Sequence, residues 1–265
     1  RHSFPTRRSS DLNRGDPPSI TIAVMAYPRI SNLDEFQPLQ NMRGVQLIWV
    51  RNAAQLASLN SADWIILPGS KNTQSDLAWL KERGLDLAAQ AHAARTGRVL
   101  GICGGLQMLG ALLIDPDGVE RSDEPQSTGL GLLPLQTIFA KDKTVKRTTA
   151  SFGALHGAWQ ALSGVAITGY EIHHGITTVM AQTAQGEAKQ NVASEPIAGL
   201  AWQNAQGNVL GIYVHGLFED AAVMRALWGA DAPCLDTVFE GLANFLDAHV
   251  DDGFLAKLAS KLAHA

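Results

Sequence analysis

Arg98-Val99-Leu100-Gly101-Ile102-Cys103-Gly104-Gly105-Leu106-Gln107 (RVLGICGGLQ) is a short apolar run that stops at a cysteine and passes at once into residues suited to a helix. A nearly continuous apolar run of this length is expected of a strand buried on both faces, inside a parallel sheet. A strand that turns into a helix at a nucleophile-capable residue forms a tight elbow. The turn needs small neighbours, and Gly101 and Gly105 provide them. A thiol at the start of a helix meets the positive end of the backbone dipole, which favours the thiolate. The N–H of Gly104 can then face a developing oxyanion. The competing reading of Cys103 is an inert core cysteine. The strand before it, the helix after it and Gln107 favour a catalytic residue.

Three further apolar runs lie upstream: residues 20–26 (ITIAVMA), 45–50 (VQLIWV) and 63–67 (DWIIL). Residues 76–95 carry Leu77, Leu80, Leu87 and Ala91 at helical spacing, with Gly84 as an interruption. Strands alternating with helices predict an α/β fold with a mainly parallel sheet. Downstream, residues 129–139, 165–174, 197–203 and 207–215 read as further strands, and residues 187–194 as a polar loop. The spacing of Val238, Leu242, Phe245 and Leu246, then Phe254, Leu255, Leu258 and Leu262, predicts two closing helices. Residues 1–12 (RHSFPTRRSSDL) lack the apolar core of a signal peptide. A transit peptide is conceivable, but they read better as an extension foreign to the fold, such as a cloning or assembly scar. Gly15, Pro17 and Pro18 make a linker of the residues that follow. The expected organisation is an extension and linker over 1–19, one domain over 20–250, and a helical tail over 251–265.

His215 ends the run GNVLGIYVH, so it is placed on the same sheet rim as Cys103, where a base for a thiol must sit. Glu219, four residues on, reads as a helix-start carboxylate more readily than as a third catalytic group. The loop Pro68-Gly69-Ser70-Lys71-Asn72-Thr73 follows the third strand, where open α/β sheets bind ligands, and the N–H groups of Gly69 and Ser70 can complete an oxyanion hole. Its Gly-Ser-Lys is not a phosphate loop, because position 64, where that pattern needs glycine, is Trp. Tyr170-Glu171-Ile172-His173-His174-Gly175 is a polar cluster with two open readings: a segment lining a substrate pocket or facing a partner, or a plain polar strand end. Neighbouring histidines on a strand point to opposite faces and no third ligand is evident, so no metal is expected.

The bulk properties exclude several classes. Of 265 residues, 46% are hydrophobic and 17% charged, and Lys plus Arg (21) against Asp plus Glu (25) leaves a net charge of −4. No basic stripe marks a nucleic-acid surface. No apolar run approaches the roughly 20 residues that span a bilayer. Two cysteines, Cys103 and Cys234, far apart, suit a reduced, cytoplasmic compartment.

From about residue 20 to 246 the chain resembles the glutamine amidotransferase domain of the cobyric acid synthases. The matching pieces are Pro28-Arg29-Ile30-Ser31-Asn32 with Asp34-Glu35-Phe36, residues 67–73, residues 101–110 and Gly129-Leu130-Gly131-Leu132-Leu133. Gly169-Tyr170-Glu171-Ile172-His173-His174-Gly175 and His215-Gly216-Leu217-Phe218 complete them. The elbow alone fits any class I amidotransferase; PRISN and YEIHHG point to the corrinoid branch. The resemblance implies a flavodoxin-like sheet with helices on both faces. It implies Cys103 and His215 as the catalytic pair. Gly69, Ser70, Gly104, Gln107, Glu171, His173 and His174 are the expected oxyanion and substrate-binding residues. Glutamine is the implied substrate, and the reaction is ATP-dependent amidation of cobyrinic acid diamide carboxylates. The corrinoid, ATP and Mg belong to an N-terminal synthetase domain that this chain lacks, so this domain needs no cofactor of its own. Class I amidotransferases carry a Glu two residues past the His; here Leu217 stands there, which implies a dyad or a triad completed from elsewhere. The alternatives are an amidotransferase of another pathway (cobyrinate diamide synthase or cell-wall isoglutaminyl synthase), a stand-alone hydrolase or peptidase, and a non-catalytic binding module.

Overall fold

The structure, a computed structural model, describes residues 19–120, 124–180, 193–229 and 243–244. The expected extension and linker (but for Ser19), most of the 187–194 loop, the closing helices (but for residues 243–244) and Cys234 lie outside the described residues.

The apolar runs form strands where expected: β1 (Ile20–Met25), β2 (Val45–Val50), β3 (Trp64–Leu67) and β4 (Arg98–Ile102). Between them lie α1 (Gln37–Gln40), α2 (Thr73–Glu82) and α3 (Leu85–Ala94), and α4 (Gly104–Leu109) follows β4 directly. Gly84 separates α2 from α3, in the left-handed region at φ 65°. Helix α2 starts earlier than its apolar spacing suggested, because Asn72 caps it: the Asn72 side chain accepts from Ser75 N at 2.9 Å. Next come β5 (Leu112–Ile114), β6 (Gln126–Thr128), β7 (Leu135–Ser151), β8 (Ala166–Val179), β9 (Ser194–Ile197), β10 (Ala201–Gln203), β11 (Val209–Ile212) and α5 (Ala221–Trp228).

The main sheet has seven strands in the order β2-β1-β3-β4-β11-β10-β9. The first five run parallel, and β10 and β9 are antiparallel to their neighbours. Alternate residues of β1 serve opposite cores. Ala23 and Met25 pack with Leu77, Leu80, Leu85 and Met108 of α2, α3 and α4. Ile22 and Val24 pack with Phe36, Leu39, Trp159, Val223 and Met224 on the other face. The flavodoxin-like layering, with helices on both faces, is therefore present. No helix among the described residues is long and apolar enough to cross a membrane.

Three expectations need correction. Residues 129–134 are not strand; the chain bends there, with Gly131 at φ 66°, and β7 begins only at Leu135. Strands β7 and β8 are longer than expected and pair antiparallel through the charged stretch 141–147, in a second sheet of order β6-β5-β7-β8. Much of this arm is exposed, so it carries little of the apolar signal from which strands are read. The single strand expected at 197–203 is a tight hairpin of β9 and β10, turned at Gly199 with φ 68°.

Strand order reverses between β1 and β3, so the loops after them flank the crevice where such sheets bind ligands. These loops are tied by Ser31 N to Gly69 O at 2.8 Å and Lys71 N to Arg29 O at 2.8 Å. Helix α4 packs tightly against the loop after β3: a Cβ on Gly105 would lie 1.8 Å from Leu67 O, against backbone that cannot swing aside. Gly105→Ala is expected to lower Tm by roughly 5–10 °C, the effect of overpacking a domain of this size. A melt unchanged from the parent would contradict the packing described.

Candidate active site

Strand β4 is the central strand of the main sheet and delivers Cys103 to its carboxyl end. Cys103 N still donates to Ile212 O at 2.8 Å, so the parallel ladder holds the residue in place. The backbone then turns sharply, with Cys103 at φ 52° and ψ −108°. A non-glycine residue held there costs on the order of 1–3 kcal/mol and persists only where the surroundings enforce it. Gly101 and Gly105 make the turn possible, since a Cβ on Gly101 would sit 2.7 Å from the Gly105 carbonyl carbon. The thiol is buried and donates to Ile172 O of β8 at 3.3 Å.

His215 lies just beyond β11 and is buried beside Cys103; both line one pocket. Its other side faces Glu35, a residue to which the sequence alone assigned no role. Glu35, itself buried in the 3-10 turn Leu33–Phe36, places Oε1 3.4 Å from His215 Nδ1 and accepts from Gly216 N at 3.3 Å through Oε2. Burial works against charge on His215. Hydrogen bonding to Cys103 and Glu35, together with their charges, outweighs it and lifts the pKa to about 10. A histidine raised from its ordinary value near 6.5 adds stability that is fully present below about pH 6.5 and is lost as pH rises toward about 10. Denaturant melts across this window should show stability falling in the parent, and less so in His215→Gln. Parallel pH profiles for the two would contradict the coupling.

Two of the residues expected to supply oxyanion N–H groups, Ser70 and Gly104, come together at the elbow. A Cβ on Gly104 would lie 2.9 Å from Ser70 N, so the two backbones meet directly. Neither N–H has an acceptor among the described residues. The Ser70 hydroxyl is occupied elsewhere, donating to Asp76 Oδ2 at 2.6 Å and accepting from Asn72 N at 3.0 Å. Gly69 acts as a spacer: a Cβ there would lie 2.5 Å from Ser31 Oγ and 2.8 Å from His215 Cε1.

Gln107 lines the pocket but its amide is fully engaged. Nε2 donates to His174 O at 2.9 Å and to Tyr213 Oη at 3.2 Å, and Oε1 accepts from Thr73 Oγ1 at 3.0 Å. It ties the elbow helix to β8. His173 and His174 both line the pocket, whereas Glu171 does not. The Glu171 carboxylate is buried in the second sheet, where it accepts from Thr148 Oγ1 and lies 3.2 Å from Lys146 Nζ. His173 stacks on Tyr213 with centroids 3.8 Å apart, and burial holds its pKa below the ordinary range, against the pull of Glu171. His174 Nδ1 lies 3.1 Å from Ala140 O.

The pocket measures about 250 Å³, below the roughly 300–1,000 Å³ of drug-sized sites and suited to a small metabolite. Two charged residues not expected from sequence line it, Glu120 and Lys143. Glu120 is held by Gln74 N at the start of α2, at 3.2 Å, while burial raises its pKa. Glu120 lies in the loop after the three-residue strand β5, and no apolar pattern leads the eye to it. Chemically, the site holds a buried thiol, a histidine with a carboxylate behind it, two unengaged N–H groups and a charged pocket wall. This is the equipment for nucleophilic attack on a carbonyl carbon.

Comparison with known proteins agrees with this chemistry. The CobB/CobQ-like glutamine amidotransferase domain family matches residues 21–223. The chain is 62% identical over 238 residues to cobyric acid synthase of Acidovorax ebreus, covering 90% of this chain and 46% of that protein. It is 59% identical over 239 residues to cobyric acid synthase of Variovorax paradoxus, covering 90% of this chain and 47% of that protein. The chain thus spans about half the length of the curated relatives it matches. Among solved structures, PurLQS from Thermotoga maritima aligns with a TM-score of 0.50 at 18% identity, over 86% of this chain and 99% of that one. This last likeness concerns the fold alone.

Proposed function

This chain belongs to the CobB/CobQ-like glutamine amidotransferase family, and on that premise we propose that it is the glutamine-hydrolysing half of a cobyric acid synthase. The observation that carries the reading is the buried array Cys103–His215–Glu35, set on a strained elbow at the edge of a small charged pocket. The Cys103 thiolate attacks the side-chain carbonyl carbon of glutamine, and the tetrahedral oxyanion is held by the N–H groups of Ser70 and Gly104. His215, protonated, gives its proton to the leaving ammonia as the C–N bond breaks and a thioester remains on Cys103. His215 then takes a proton from water as it attacks the thioester; the C–S bond breaks, glutamate leaves with its carboxyl proton passing to solvent, and the thiolate beside protonated His215 is restored. Glu35 keeps the imidazole oriented and favours its charged form. Glu120 and Lys143 offer opposite charges for the ammonium and carboxylate of the substrate.

Ammonia, in this reading, passes to a carboxylate of a cobyrinic acid diamide activated with ATP and Mg in a synthetase half, and the present domain uses no cofactor. A reactive thiol of this kind suits a reducing, cytoplasmic compartment. The test is glutamate release by the purified chain, followed by addition of a synthetase half with ATP and the corrinoid. The chain alone is expected to form no amide, because its sequence holds no phosphate loop. Adding the other half should give glutamine-dependent amidation. ATP-dependent amidation by the chain alone, or no amidation with both halves present, would overturn the proposal.

A further inference from the structure

The segments 28–36 and 169–175 lie more than a hundred residues apart and meet over the imidazole of His215. Asn32 Nδ2 donates to Tyr170 Oη at 2.9 Å. The Tyr170 ring stacks on His215, centroids 5.4 Å apart and planes 19° from parallel. The backbones of these two residues are tied in both directions, His215 N to Tyr170 O at 2.9 Å and Tyr170 N to His215 O at 3.4 Å. The approach requires glycine at 169, where a Cβ would lie 2.0 Å from His215 O. Asn32 takes a left-handed conformation at φ 54°, which asparagine tolerates better than most residues, and the turn it opens carries Glu35.

We propose that Tyr170, anchored by Asn32, is a positioning residue for glutamine hydrolysis that fixes the plane of His215 and favours its protonated form. This rests on the assignment of His215 as the general acid and base. Hydrogen bonds to Glu35, at 3.4 Å from Nδ1, and to Cys103 hold the ring at its edges but leave it free to turn about the line that joins them. A ring stacked on its face removes that freedom. An aromatic face within about 6 Å of a cation also stabilises the charge. The charged groups that act on His215 are Cys103 from the elbow, Glu35 from the 3-10 turn, and Glu219 beyond Gly216. All of them favour the imidazolium when ionised, so the tyrosine adds to their effect, and only a variant of the ring itself isolates it.

The experiment measures glutamine hydrolysis by the 265-residue chain across pH, with thermal melts as the folding control. Tyr170→Phe keeps the stack and loses the bond to Asn32; kcat should fall about three- to tenfold. Asn32→Ala should cost about the same, and the double variant should fall no further than about twofold below either, because both remove one bond. Tyr170→Leu removes the stack. Its kcat should fall by about tenfold or more at unchanged KM, and the alkaline limb of its pH profile should move down by about half a unit or more. Wild-type kcat and an unmoved alkaline limb in Tyr170→Leu, with only KM or Tm altered, would overturn the proposal. Should Tyr170→Leu fail to fold, additive losses in the Asn32/Tyr170 cycle would overturn it equally. His215→Ala separates the layers: if it keeps full hydrolysis, the catalytic assignment itself falls. If it is inactive while Tyr170→Leu behaves as the parent, only the positioning role falls.

Discussion

Cys103→Ser is expected to abolish glutamine hydrolysis, by about a thousandfold or more, while the chain melts at the parent temperature. The hydroxyl is a far weaker nucleophile than the thiolate at neutral pH, and His215 is the base placed to activate it. The fold should survive because serine matches cysteine in size and leaves the elbow, the ladder bond to Ile212 and the glycines around it untouched. The assay is glutamate release, read beside a melt of the same preparation. Hydrolysis that survives in the serine variant would return Cys103 to the role of a core cysteine and put a binding module ahead of an enzyme.

Glu35→Gln is the second large effect. The carboxylate accepts from both His215 Nδ1 and Gly216 N, and its charge helps hold the imidazolium. The amide has one oxygen for two donors and no charge, so it can turn its N–H₂ toward the ring and select the wrong tautomer. In a related arrangement, removing the orienting carboxylate by amide substitution costs roughly 10⁴ in kcat; a loss of about 10²–10⁴ is expected here. The alkaline limb of the pH profile should also move down, because one cause of the raised His215 pKa is gone. Glu219→Gln is the comparison, since Glu219 stands four residues past His215 but makes no hydrogen bond to it among the described residues. Its kcat should stay within about threefold of the parent, typical of a residue outside the reacting array. A Glu35→Gln variant within tenfold of the parent, or a larger loss in Glu219→Gln, would remove Glu35 from the array.

The parallel half of the fold was legible because burial on both faces writes itself into sequence as unbroken apolar runs, as in residues 64–67 and 98–102. The elbow was legible because a sharp strand-to-helix turn needs glycine on both sides of Cys103. His215 was legible by its position at the end of an apolar run. Glu35 was not, because its partner lies 180 residues away and nothing local marks a buried carboxylate. It stood among the residues that carry the family resemblance, Asp34-Glu35-Phe36, yet without a role. The absence of Glu at Leu217, fully buried against the core, was the one clue to a dyad or to a third group from elsewhere. The polar cluster on β8 divided in a way that sequence left open. His173 and His174 both reach the pocket beside a register shift between Ile138 and Lys143, while Glu171 turns to Lys146 and Thr148. Residues 140–151 of β7 and 175–179 of β8 were not read as strand, because an exposed strand shows its face only when its partner is known.

The claim at the centre of this account is that Cys103 is the glutamine nucleophile, and peptide mapping after brief exposure to a diazoketone analogue of glutamine tests it most directly. The adduct should form on Cys103 much faster than on Cys234, glutamine should protect, and His215→Ala should slow the reaction. Equal labelling of the two cysteines, or labelling of Cys103 that glutamine does not slow, would contradict it.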